Sequence, residues 1–111
     1  MTNISKDISF NNDNDAKNLL IESRNRIDEI DSEIFDLISQ RTALAKDIAL
    51  SKDYLGIPIY DPSRENAIHE KVEKVSQEKG LDADIINQIV NLLTLLSKNE
   101  QNEILGRNVN G

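Results

Sequence analysis

The feature that most constrains this chain is a long stretch without helix breakers. No glycine or proline precedes Gly56, and apolar side chains recur every three or four residues over much of that stretch. They are Leu20, Ile27, Ile30, Ile34, Leu37, Ile38, Leu44 and Ile48. The pattern predicts one helix from about residue 16 to residue 53, roughly 57 Å long at about 1.5 Å per residue.

A chain this short cannot cover such a helix on all sides. The sequence has 111 residues, enough for one ordinary domain. A compact domain of about 100 residues has a radius of gyration of only about 13 Å. We therefore expect a partner molecule to cover part of the long helix.

Start and stop signals predict two further helices. Gly56 and Pro58 interrupt the first helix, and Asp61 followed by Pro62 marks the start of a second one, which ends near Lys79. Gly80 then suits a left-handed C-cap, with Leu81 placed for the hydrophobic contact beyond it. Asp82 caps a third helix that fades by Leu105. Its apolar positions are Ile85, Ile86, Ile89, Leu92, Leu93 and Leu96.

No strand pattern or internal repeat is visible, so the predicted fold is all-α with three helices. Seven of the first fifteen residues are Asn or Asp, with almost nothing to bury. We expect residues 1–15 to be a disordered tail, 16–105 to be the domain and 106–111 to be a polar C-terminal tail.

Composition excludes several functional classes. Twenty acidic against thirteen basic side chains give a net charge of −7, which disfavours general nucleic-acid binding. The sequence has no cysteine, so it has no disulfide, thiolate or zinc-thiolate chemistry. It shows neither a signal peptide nor an apolar run long enough to span a membrane. We expect a cytoplasmic protein.

Three cations lie on or beside the apolar face of the first helix, where an unpaired charge is costly. Arg24, Arg41 and Lys52 each follow an apolar residue by four positions. These side chains could extend from the edge of the apolar face to water, or they could be polar breaks that fix the register of a coiled coil. The third alternative is that they form a binding site. Arg41 and Lys52 are eleven residues apart, about 16 Å along the same side, and their side chains can converge on a small anion. Arg24 is about 25 Å from Arg41, so it would have to contribute from an antiparallel partner helix.

Other polar groups occupy similar places in the later helices. Ser97 and Gln101 are one turn apart on the apolar line of the third helix, and Arg64 with Glu65 opens the second. These residues could belong to a binding site. Alternatively, the Ser97 hydroxyl bonds to its own helix, and Gln101 and Glu65 are ordinary solvated surface groups. His69 is the only histidine, and we expect it to be partly exposed and without a functional role.

These residue types favour binding of a dianion over covalent chemistry. The sequence has no catalytic triad, P-loop, glycine-rich nucleotide turn or metal-ligand cluster. We expect neither a metal nor another cofactor. A cationic pocket can still catalyse a reaction that mainly requires orientation and charge stabilisation.

From about Leu19 to Leu105 the chain resembles the all-α (type II) chorismate mutases. The motifs are R-x-x-I-D-x-I-D from Arg24, L-I-S-Q-R-T-A-L-A from Leu37, Lys52, G-I-P-I-Y-D-P-S-R-E from Gly56, G-L-D from Gly80 and S-K-N-E-Q from Ser97. The resemblance implies an intertwined helical homodimer that isomerises chorismate to prephenate by a [3,3] shift. It implies no covalent intermediate, metal or cofactor.

The resemblance also implies a role for each candidate residue. Arg41 and the partner's Arg24 would each bind a substrate carboxylate, with Ser97 assisting at the ring carboxylate. Lys52 and Gln101 would donate to the ether oxygen of the breaking C–O bond.

On the second helix, Glu65 would accept from the ring hydroxyl with help from backbone near Asp61, and Arg64 would support the carboxylate cluster and hold Asp61. Some relatives have Glu in place of Gln101. Because an amide donates at any ordinary pH, we expect activity that is flat from about pH 5 to 8.

Two other functions stay open at this point. An isochorismate pyruvate lyase would share the fold and need a similar cationic pocket, although the D-P-S-R-E helix start and the Lys52/Gln101 pair resemble mutases more. A non-catalytic helical dimer, acting as an adaptor or regulator, would explain the long helix but not the set of cations. At 111 residues, we expect no fused regulatory, dehydratase or dehydrogenase domain.

Overall fold

The computed structural model describes residues 9–106, and this part of the chain consists of three helices without a strand. They are α1 (Asp13–Leu55), α2 (Pro62–Lys79) and α3 (Ala83–Ile104). α3 packs against both α1 and α2. The all-α architecture predicted from the sequence is confirmed.

Helix α1 begins at Asp13, three residues earlier than predicted. The side chain of Asn12 accepts a hydrogen bond of 3.0 Å from the Asp15 backbone N–H, and Asp13 and Asp15 lie in the first turn. An Asn cap and early carboxylates stabilise a helix N-terminus, so part of this polar cluster starts the helix instead of preceding it. The rest of the expected N-terminal tail, residues 1–8, lies outside the described residues. So does the expected C-terminal tail beyond Gly106.

The other helix ends match their predicted signals. α1 ends at Leu55, and Gly56 follows with φ of 70°, a left-handed conformation that glycine adopts without steric cost. Asp61 caps α2 by accepting from the Arg64 backbone N–H at 3.0 Å, and Gly80 ends it with φ of 67°. Asp82 caps α3 in the same way at the Ile85 N–H.

The described chain is elongated and has little core of its own. Its radius of gyration is 19.6 Å and its extents are 65 × 25 × 23 Å. The buried apolar residues are Ala45, Ala49, Ile59 and Val72. By contrast, the part of α1 that precedes Arg41 leaves most of its apolar side chains exposed, with Phe35 at 68%. The fold therefore packs α3 on the C-terminal half of α1 and leaves the other half uncovered.

A side-chain hydrogen bond also links α2 and α3. His69 Nδ1 and Asn87 Oδ1 are 2.8 Å apart, and His69 is partly exposed, as expected. None of the helices of residues 9–106 combines the length and apolar character needed to cross a membrane.

Candidate active site

One cleft of about 400 Å³ gathers most of the polar residues predicted for the site. It is formed by the C-terminal half of α1, the connection that precedes α2, the first turns of α2 and the C-terminal half of α3. Its lining residues are Arg41, Leu44, Ile48, Lys52, Ile59, Asp61, Arg64, Glu65, Ile68, Thr94, Ser97, Lys98 and Gln101.

Lys52 lies in the last turn of α1 and directs its ammonium group into the cleft. Its Nζ donates to the backbone carbonyl of Ile59 at 2.7 Å and to Oε1 of Gln101 at 3.1 Å. The Gly56 turn brings Ile59 back beside Lys52, where Ile59 is buried. An ammonium has three donors, so one N–H is left for a ligand as far as residues 9–106 are concerned.

Gln101 is only 4% exposed, and its amide joins two other site residues. Lysine can only donate, so the amide oxygen faces Lys52, and Nε2 donates to Ser97 Oγ at 3.1 Å. The second N–H of the amide has no protein acceptor among the described residues. The Ser97 oxygen acts as an acceptor, so its own hydrogen can point to a ligand. Lys52, Gln101 and Ser97 thus form a chain of donors that runs in one direction, and such chains are cooperative.

Arg41 is held by the backbone of α3. Its Nη1 donates to the Leu93 carbonyl oxygen at 3.0 Å, and the side chain is partly buried. A guanidinium has five N–H donors in a planar fork that matches a carboxylate. One hydrogen bond fixes the fork and leaves further donors for an anion in the cleft.

The α2 side of the cleft carries its two carboxylates. Asp61 is occupied by its cap on the Arg64 backbone. Glu65 accepts a hydrogen bond of 3.4 Å from Lys98 Nζ, which also lies 5.4 Å from the centroid of the Tyr60 ring. Four cations and two carboxylates line the cleft, so its formal charge is +2, which suits a dianion.

Seven of the eight predicted site residues meet at this cleft, and their chemical roles stay predictions. They are Arg41, Lys52, Asp61, Arg64, Glu65, Ser97 and Gln101. Arg24 does not line it, and its contribution from a partner chain stays a prediction. Sequence reasoning missed Lys98 as a site residue, although it stands next to Ser97 in the S-K-N-E-Q motif. Its proximity to Glu65, 33 positions away, arises only from the packing of α2 on α3.

Comparison with known proteins identifies the family. Residues 23–102, which include Arg24 and every residue of the cleft, match the family model described as chorismate mutase type II. The chain belongs to the type II chorismate mutase family. The chorismate mutase function predicted from the sequence is thereby confirmed at the level of the family.

Individual relatives agree with the family match. The chain is similar to a chorismate mutase of Methanocaldococcus jannaschii, with 43% identity over 86 residues that cover 78% of this chain and 87% of the relative. It is also similar to a bifunctional chorismate mutase/prephenate dehydratase of Aquifex aeolicus, with 42% identity over 59 residues. That match covers 53% of this chain but only 16% of the longer protein.

Proposed function

We propose that this type II chorismate mutase chain isomerises chorismate to prephenate in the described cleft, as a step toward phenylalanine and tyrosine. The observation that carries the proposal is the arrangement of Arg41 and the Lys52–Gln101–Ser97 chain around one cleft of formal charge +2. The cytoplasmic location remains a prediction.

Binding of the flexible dianion comes first. The free donors of Arg41 grip one substrate carboxylate, and the Ser97 hydroxyl donates to the ring carboxylate. Arg24 of a second chain binds the other end of the dianion. Fixing both carboxylates holds the substrate in a compact chair-like conformer and removes much of the entropic barrier to the rearrangement.

Charge stabilisation then acts on the breaking bond. As the C–O bond of the ether lengthens, negative charge grows on its oxygen. The remaining N–H groups of Lys52 and Gln101 donate to that oxygen, and both groups are already held by protein partners. Donors that need no reorganisation lower the transition state more than the ground state, and removing one such donor typically costs about 10²- to 10³-fold in kcat.

The α2 residues recognise the rest of the ring. Glu65 accepts a hydrogen bond from the ring hydroxyl, with help from backbone near Asp61. Arg64 supports the carboxylate cluster and the Asp61 cap. The apolar lining residues are Leu44, Ile48, Ile59 and Ile68. Leu44 and Ile48 are exposed in the single chain, so a second chain has to cover them before they limit access of water and strengthen these interactions.

A second copy of the chain completes the proposed enzyme as a homodimer. The part of α1 that precedes Arg41 exposes a set of large apolar side chains that includes Leu20, Ile27, Ile34, Phe35 and Leu37. Few monomeric proteins leave a continuous apolar face of this extent uncovered. If two α1 helices cross antiparallel about a two-fold axis near Phe35, Arg24 of each chain lies beside residue 46 of the other. That position is within the cleft-forming part of α1.

The experiment that tests the proposal is an assay of purified protein with chorismate. We expect loss of the ultraviolet absorbance of chorismate with formation of prephenate and no free pyruvate. Turnover of isochorismate with release of pyruvate, but no turnover of chorismate, would indicate the lyase instead.

A matched variant tests the adaptor alternative. Arg41→Ala should lose at least about 10²-fold in rate while remaining folded and dimeric, because it removes the carboxylate fork. Wild-type protein that turns over neither substrate would contradict the proposal.

A further inference from the structure

We propose that Lys98 is a positioning residue, which holds the Glu65 carboxylate in place as a hydrogen-bond acceptor within a cationic cleft. The inference deepens the proposed function and rests on it, because it concerns the residue assigned to the ring hydroxyl of the substrate.

The geometry restricts what Lys98 can do. Its Nζ is 3.4 Å from Glu65 Oε2 and 5.4 Å from the centroid of the Tyr60 ring. The two charged side chains are 30% and 26% exposed, so the pair lies at the wall of the cleft and not in open solvent. An ammonium group near an aromatic face gains a cation–π interaction. Turning Nζ toward a substrate would give up both of these contacts.

Charge balance gives Lys98 its function. Glu65 is a carboxylate in a cleft that must accept a dianion, and like charges at close range disfavour binding. Lys98 offsets that charge locally and leaves the second carboxylate oxygen of Glu65 to accept from the ligand. Without Lys98 the carboxylate is free to turn toward Lys52 or Arg41, the two cations needed by the substrate.

Four variants separate this role from direct binding. Lys98→Met keeps most of the side-chain length and removes the charge, and Lys98→Arg keeps the charge. Glu65→Gln and the double variant Lys98→Met with Glu65→Gln complete a double-mutant cycle. Lys74→Met is the control, because Lys74 is an exposed lysine of α2 that does not line the cleft.

The proposal predicts an effect on KM. An acceptor that contacts the substrate equally in ground and transition states contributes uniform binding, so Lys98→Met should raise KM about tenfold and change kcat less than about threefold. Lys98→Arg should restore most of the affinity, and the control should match the wild type. The double variant should have the KM of Glu65→Gln within about twofold.

Other results would overturn the proposal, and they differ from failure of the proposed function. The increase in KM of the double variant could equal the product of the increases in the two single variants. That result would show that Lys98 binds substrate independently of Glu65. A wild-type KM for Lys98→Met, with a raised KM for Glu65→Gln, would remove Lys98 alone from the mechanism. A wild-type KM for Glu65→Ala, which has no side-chain acceptor, would remove the role of Glu65 and that of Lys98 with it. Only absence of chorismate turnover by the wild type would reject the proposed function.

Discussion

At the scale of single residues, the amide of Gln101 is at once a hydrogen-bond acceptor and a hydrogen-bond donor. It accepts from Lys52 on its oxygen and donates to Ser97 from its nitrogen, with a further N–H left for the ligand. A carboxylate of the same size only accepts, so it would bind Lys52 more strongly but lose both donors.

Gln101→Glu should therefore make activity depend on pH. Because an ordinary Glu carboxyl has a pKa of about 4.3, the variant is ionised at neutral pH and donates only when protonated. We expect about 10²-fold lower kcat at pH 7, with partial recovery as the pH falls toward about 5. The wild type should stay flat from about pH 5 to 8. A variant as active as the wild type at pH 7, or one that gains nothing in acid, would contradict the donor role of Gln101.

Ser76, unlike Gln101, has a buried polar group without a hydrogen-bond partner among the described residues. The residue is 1% exposed, and no hydrogen bond to Oγ is formed within residues 9–106. An unsatisfied buried polar group costs roughly 1–3 kcal/mol. Ser76→Ala should therefore raise the free energy of unfolding by about 1 kcal/mol, measured by chemical denaturation. Ser97→Ala is the control, because the Ser97 oxygen is hydrogen-bonded, and it should not stabilise. A destabilised Ser76→Ala variant would show that this hydroxyl has a partner.

At the scale of elements, one capping side chain sets the start of each helix. The caps of α2 and α3 have the same geometry and can be compared directly. Asp61 and Asp82 each accept from a backbone N–H three residues ahead, at 3.0 and 3.1 Å. Only Asp61 lines the cleft. We therefore expect the cap of α2 to affect both stability and catalysis, and the cap of α3 to affect stability alone.

Replacing each cap by alanine should separate these consequences. Both Asp61→Ala and Asp82→Ala should lose about 1 kcal/mol of stability, because each leaves an N–H at a helix start without its acceptor. Thermal unfolding measures the loss of stability, and steady-state kinetics measures KM and kcat. Only Asp61→Ala should also raise KM or lower kcat. Equal kinetic effects of the two variants would indicate that the cleft responds only to global stability.

The accuracy of sequence reasoning also differs between elements for physical reasons. The bounds of α2 were predictable because Asp61, Pro62 and Gly80 act on their immediate neighbours. The start of α1 was predicted three residues late because a run of Asn and Asp is typical both of a tail and of a helix cap. Pairings between helices, such as Lys98 with Glu65, depend on tertiary packing that no local pattern specifies.

At the scale of the whole molecule, the proposed two-fold dimer would account for both the exposed apolar side chains of α1 and the distance of Arg24 from the cleft. Residues 9–106 extend over 65 Å and bury four apolar residues, so they have little core to stabilise them alone. A two-fold dimer would cover the exposed face and bring Arg24 to the cleft of the other chain. Sedimentation or light scattering should accordingly give a mass of two chains, and a stable folded monomer would contradict the proposed assembly.

Mixing two inactive variants is the most direct test of the central claim, that the active site combines residues of two chains. Arg24→Ala and Arg41→Ala homodimers should each lose at least about 10²-fold in rate. After co-refolding in equal amounts, half of the dimers carry one chain of each kind. In these, one cleft has Arg41 from its own chain and Arg24 from the partner. We predict recovery of about a quarter of wild-type chorismate mutase activity, the share of intact sites in a statistical mixture of two-fold dimers. Mixed dimers that form but stay as inactive as the separate variants would show that the site does not combine these two arginines across the dimer.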